Sequence, residues 1–106
     1  MNAGKSKTLM NKSDYIARLQ TTIQHLHNCA AVWRATVPVH EVFGGKTVWN
    51  GNVECFDLTG HPKAQKCYAW SYGEPEEIIA ILELPPVQTA QDAVKVGVAY
   101  QIKKAR

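Results

Sequence analysis

The chain changes its hydrophobic period near residue 30, and that change limits its folds more than any other feature. Ile16, Leu19, Ile23 and Leu26 recur at spacings of three and four, one narrow apolar stripe on a helix predicted over 13–28. Ser13 is placed to cap it, Asp14 suits its first turn, and Asn28 is a reasonable stop. From Ala31 the period becomes two. Trp33, Ala35, Val37, Val39 and Phe43 share one face of an extended segment, interrupted by Glu41, while Arg34, Thr36 and His40 take the other. Pro38 cannot donate to a central ladder, so this strand lies at an edge or bulges there.

Gly44-Gly45 signals a hairpin into a second strand over about 46–58. Asn50-Gly51 falls inside it and reads as a bulge in one long strand. Residues 59–63 form a loop, and 65–72 a third strand with Tyr68, Trp70 and Tyr72 on one face. After a turn at 73–76, a fourth strand over 77–84 carries the apolar run from Ile78 to Leu82, which asks for burial on both faces. Pro85-Pro86 ends it. The last segment alternates at Val94, Val96, Val98, Tyr100 and Ile102, yet Thr89 and Asp92 have the spacing of a capping box. The capping signal and Ala90/Ala93 favour a helix. The expected fold class is α+β: a helix, a four-stranded antiparallel meander and a C-terminal helix, with both helices packed on one sheet face.

A single domain over 13–106 follows a tail at 1–12, where Met10 is an alternative start. No apolar stretch reaches the roughly 18 residues of a membrane span, and the basic N-terminus lacks the apolar run of a signal peptide. The three cysteines, Cys29, Cys55 and Cys67, show no paired spacing and read as reduced thiols, so a cytoplasmic location is expected. The formal charge of +3 is misleading as a guide to partners. Between 13 and 102 six basic residues face all nine acidic ones, a net −3, so only the ends are basic. A nucleic-acid surface concentrates positive charge on the folded face, which disfavours nucleic acid as a partner.

Three constellations carry candidate chemistry. His25, His27 and Cys29 have zinc-ligand side chains, but only His25 and Cys29 share a helix face and no paired ligand spacing exists, so neither metal nor cofactor is expected. His40 and Glu41 are adjacent, and Glu41 breaks an apolar face, so it is buried with a raised pKa, paired with a basic partner, or left in solvent where alternation relaxes near the Gly-Gly turn. With His40 it could also form an acid–base couple. The aromatic set is the richest. Trp33, Trp49, Tyr68 and Trp70 map to strands, and with both helices on one face some of them face solvent unless a ligand or second subunit covers them. The candidate binding residues are therefore Trp33, His40, Glu41, Trp49, Tyr68 and Trp70; no catalytic residue is assigned.

The run Val37-Pro-Val-His-Glu41, then Gly45-Lys-Thr-Val-Trp49, Val53-Glu-Cys-Phe-Asp-Leu58, Gly60-His-Pro62 and Cys67-Tyr-Ala-Trp70, resembles a group of short uncharacterised bacterial proteins. Some are similar to proteins encoded on integron-type mobile gene cassettes. The resemblance covers roughly residues 29–98 and carries no established activity or site residue. It implies a bacterial origin, a small homo-oligomer and a helical final segment. The leading expectation is a homodimeric small-molecule-binding or protein-interaction module using an aromatic-rich sheet face. Its rivals are a small enzyme with a Glu/His acid–base pair and a toxin or antitoxin of a mobile element.

Overall fold

The computed structural model describes residues 11–73 and 76–104. Most of the expected tail, and residues 74 and 75 of the 73–76 turn, lie outside them. Among the described residues the elements are α1 (Lys12–His27), β1 (Ala30–Phe43), β2 (Lys46–Thr59), β3 (Lys66–Tyr72), β4 (Glu77–Leu82) and α2 (Ala90–Lys104). The strands form one antiparallel sheet in the order β1-β2-β3-β4, as a meander with short turns requires. The α+β class and the element order agree with the residue patterns.

Helix α1 starts earlier than expected. Asn11, not Ser13, is the cap, its side chain accepting the Asp14 N–H at 2.8 Å, so Lys12 belongs to the helix. Asn28 ends it with a left-handed φ of 51°, a conformation asparagine tolerates better than most side chains. Helix α2 is capped at Thr89, whose hydroxyl accepts the Asp92 N–H at 3.1 Å, while the Asp92 carboxylate accepts the Gln88 N–H at 3.0 Å. Alternation in that segment is incidental: Val94 and Val98, one turn apart, are buried, whereas Val96, Tyr100 and Ile102 are exposed.

β2 runs straight through Asn50-Gly51. The irregularities lie at Trp33/Ala35 and Glu41/Val42, where Arg34 in β1 and Val48 in β2 are the extra residues. Gly51 serves a different need from a bulge: the Trp49 indole lies over it, and a Cβ there would meet its ring at 3.1 Å.

The helices lie on opposite faces of the sheet, which corrects the placement of both on one face. Leu19 and Ile23 of α1 pack on Ala31, Phe56, Cys67 and Ala69, with Ile78, Ala80 and Leu82 around them. Ala90, Ala93, Val94 and Val98 of α2 pack on Val39, Val53, Tyr68 and Trp70, with Ile79 and Ile81 alongside. Successive strand residues point to opposite sides, so the unbroken apolar run of β4 needs cover on both. The two helices supply it, and no face of the central sheet is left for aromatic side chains to hold open.

Burial fixes the chemistry of Cys67, which is 0% exposed. Its thiol is pushed up to about 12, chiefly by desolvation and secondarily by Cys29. Tyr68 moves in the same direction, through burial and its hydrogen bond to Glu83. A thiol raised from 9.0 in the unfolded chain stabilises the fold fully below that pH, and the contribution is lost as pH rises toward about 12. Stability followed by urea titration is therefore expected to fall steeply above pH 9.0, and Cys67→Ala to flatten the fall. A profile unaltered by the substitution contradicts the assignment.

Candidate functional site

The sheet is split at one end. β1 and β2 pair along their full lengths, and β3 pairs with β4 out to Tyr72 opposite Glu77. β2 and β3, however, pair only from Asp57–Lys66 to Glu54–Ala69. Beyond that point β2 has β1 on one side and, among the described residues, no strand on the other. The strands part around a side chain from α1. Tyr15 places its hydroxyl where β2 backbone would continue, accepting the Ser71 N–H at 3.1 Å and the Ser71 hydroxyl at 3.2 Å.

The resulting notch is an open cavity of about 580 Å³. Lys12 and Tyr15 of α1 close one side, Asn50, Gly51, Asn52 and Glu54 of β2 a second, and Ser71 and Tyr72 of β3 a third, with Trp49 as its indole wall. Glu54 is its buried acid, 3% exposed. Trp33 Nε1 donates to Glu54 Oε1 at 2.8 Å and Thr36 Oγ1 donates to the same oxygen at 2.6 Å. Lys12 Nζ in turn donates to Thr36 Oγ1 at 2.7 Å and sits 5.8 Å from the Trp33 ring centroid. Trp33, Thr36, Glu54 and Lys12 thus form one chain of polar contacts leading into the notch.

The predicted binding residues are divided by the sheet. Trp49 and Trp70 touch, with ring centroids 5.7 Å apart, and Trp70 is sealed under α2 at 1% exposure. Tyr68, on the same face, donates to Glu83 Oε2 at 2.6 Å. Trp33 does not share the face of Ala35, Val37 and Val39 as alternation implied: the extra residue Arg34 turns it to the α1 face, where it is half-covered and tied to Glu54. Trp49 alone of these aromatics lines the notch. Lys12, Tyr15, Glu54 and Ser71 were not among the candidates. Glu54 carried only a partial signal: on its strand face it lies between Asn52 and Phe56, where polar positions give way to apolar ones. Tyr15 and Ser71 carried none, since their meeting depends on how α1 lies across the sheet.

His40 and Glu41, neighbours on a strand, point to opposite sides. The His40 Nε2 is hydrogen-bonded to Thr47 Oγ1 at 2.7 Å in solvent. Glu41, 8% exposed, accepts from Gln91 Nε2 at 2.5 Å and pairs with Lys95 Nζ at 3.0 Å. Of the alternatives its position left open the structure shows the buried carboxylate with a cationic partner, and it clamps α2 to β1. Glu41→Ala is expected to cost about 1–2 kcal/mol in chemical denaturation, because Lys95 is exposed enough to turn into water. Lys95→Ala should cost less than Glu41→Ala, since Gln91 still holds the carboxylate.

Elsewhere, Asp57 accepts from Arg34 at 2.5 Å and from Lys66 at 3.0 Å, and these bonds hold its carboxyl below the usual range. His27 lies edge-on to His61 with ring centroids 6.3 Å apart. Among the described residues no three His, Cys, Asp or Glu side chains are grouped to hold a metal ion, and no helix is long and apolar enough to cross a membrane. Fold and site together define a class, a small α+β domain with a sheet covered by a helix on each face and split at one end around a polar notch. No family model, curated protein or solved structure matches this chain.

Proposed function

We propose that the protein is a small-molecule-binding module and that the notch between β2 and β3 is its binding site. The split strand pair carries this reading. It leaves a cavity of about 580 Å³, within the range of about 300–1,000 Å³ typical of ligand pockets, with convergent polar groups and one aromatic wall. A sheet that only needed stability would continue the β2–β3 ladder instead of diverting a helix tyrosine to the Ser71 N–H. Titrating the labelled protein with a library of small polar fragments tests it by amide chemical shifts. Perturbations centred on Asn50, Gly51, Asn52 and Ser71 are expected; binding only elsewhere, or none, retires the notch.

A second reading, self-association, is favoured by β1. It is an edge strand of 14 residues with Val32 and Trp33 exposed near one end and Val42 and Phe43 near the other. A two-fold axis at the middle of β1 brings the first pair of one copy against the second pair of its partner, the self-complementarity a symmetric dimer needs. Pro38, near that axis, has no N–H to give, so the flanks would carry the contact. Light scattering should report a dimer that Phe43→Lys dissociates. A monomer at the highest soluble concentration ends this reading.

A further inference from the structure

Resting on the notch as the binding site, we propose that its ligand is a small cation, an ammonium- or amidinium-bearing molecule whose charge sits on the Glu54 carboxylate. Both described hydrogen bonds to Glu54 fall on Oε1, from Trp33 and Thr36. Among the described residues Oε2 accepts none, although the side chain is 3% exposed and lines the notch. Among the described residues no sealed side-chain oxygen lacks a partner, so Oε2 is open to the notch and not shut away from water, and a cationic donor gives a carboxylate oxygen its strongest hydrogen bond.

The nearest resident cation does not meet this need. Lys12 Nζ stops at Thr36 Oγ1, 2.7 Å away, and the hydroxyl stands between ammonium and carboxylate. Its bonding sense is consistent: Thr36 accepts from Lys12 and donates to Glu54, so the positive charge is held beside the site and the free oxygen is left to a ligand. Trp49 adds an aromatic wall, which attracts cations and not anions. On the other side Tyr15 accepts the Ser71 N–H and shares a hydroxyl contact with Ser71, which puts a polar wall opposite the indole. The notch thus suits a compact molecule with a cationic end for Glu54 and a polar or aromatic body between Trp49 and Tyr15.

Benzamidine, benzamide and benzoate share a ring and differ in charge, so they separate charge recognition from shape. With the full chain, benzamidine is expected to perturb the Asn50, Gly51, Asn52 and Ser71 amides, with benzamide weaker and benzoate silent. Glu54→Gln should weaken benzamidine by about tenfold or more, the loss of a charge-assisted bond. Lys12→Gln provides an arm independent of the buried acid. Removing an exposed positive charge beside a cation site should tighten benzamidine a few-fold, whereas at an anion site it weakens the ligand. Benzoate or benzamide binding to the same amides at least as tightly as benzamidine, or weaker benzamidine binding in Lys12→Gln, overturns the cation claim and leaves the notch standing. If no probe and no fragment perturbs these amides, both readings fall.

Discussion

Trp70→Ala is expected to cost about 3–5 kcal/mol, a large part of the roughly 5–15 kcal/mol that holds a domain of this size together. Trp70 is the largest fully buried side chain, 1% exposed, between β3 and α2 and against Trp49. Its removal opens a cavity bounded on one side by a helix and on the other by a sheet, and neither collapses readily into the gap. Trp49 then loses its stacking partner as well. A urea titration should show a lower midpoint with an unchanged slope, the signature of lost stability in an unaltered unfolding transition. A loss below about 1 kcal/mol would mean that α2 does not pack on this ring.

Gly97→Val should destabilise by about 2–3 kcal/mol, through overpacking rather than a cavity. A Cβ at Gly97 would meet Trp70 Cζ2 at 2.7 Å and Cη2 at 3.1 Å, too close for a rigid indole to accommodate. Glycine within a helix interior normally costs about 1 kcal/mol relative to alanine. Here Gly97→Ala is expected to destabilise all the same, because the contact outweighs the propensity. The two positions are coupled, so pairing Gly97→Ala with Trp70→Phe, which shortens the ring, should recover part of the loss. Strict additivity of the two substitutions would show that the close approach is not what Gly97 serves.

These two residues also show how the fold is written. The strand face shared by Tyr68 and Trp70 is plain from alternation, whereas in the last segment the capping signal at Thr89 and Asp92 competes with a strand-like alternation and only favours a helix. That Gly97 must lack a side chain is invisible until α2 is laid on β3. The unbroken apolar run from Ile78 to Leu82 already required cover on both faces of the sheet, and helices gathered on one face could not meet it. The local signal was sound; combining it with helix placement needed the third dimension. The same holds at Asn50-Gly51, a turn-like dipeptide that pairs regularly with β1 and whose glycine leaves room for the Trp49 ring above it.

Glu41 and Glu54 divide along the same line. Glu41 breaks an apolar strand face, so burial with a partner was legible there, whereas Glu54 stands between Asn52 and Phe56 on its face and gave no such sign. Glu41 meets Lys95 and Gln91 from a helix some 50 residues away in the chain and becomes a structural clamp. Glu54 lies where β2 leaves β3, and one of its oxygens faces an open notch. No pattern in the residues marks which of the two borders the candidate site.

By itself the sequence determined the first helix, the four strands, their order and the antiparallel meander, because periodicity and turn chemistry act within a few residues. It did not fix the side taken by Trp33, which the extra residue Arg34 turns away from Val37 and Val39. The tertiary structure alone decided that the helices take opposite faces, that Tyr15 ends the β2–β3 ladder at Ser71, and that Lys12, Glu54 and Trp49 border one cavity. Those outcomes depend on how elements far apart in the chain settle against each other, where packing of whole surfaces outweighs any local preference.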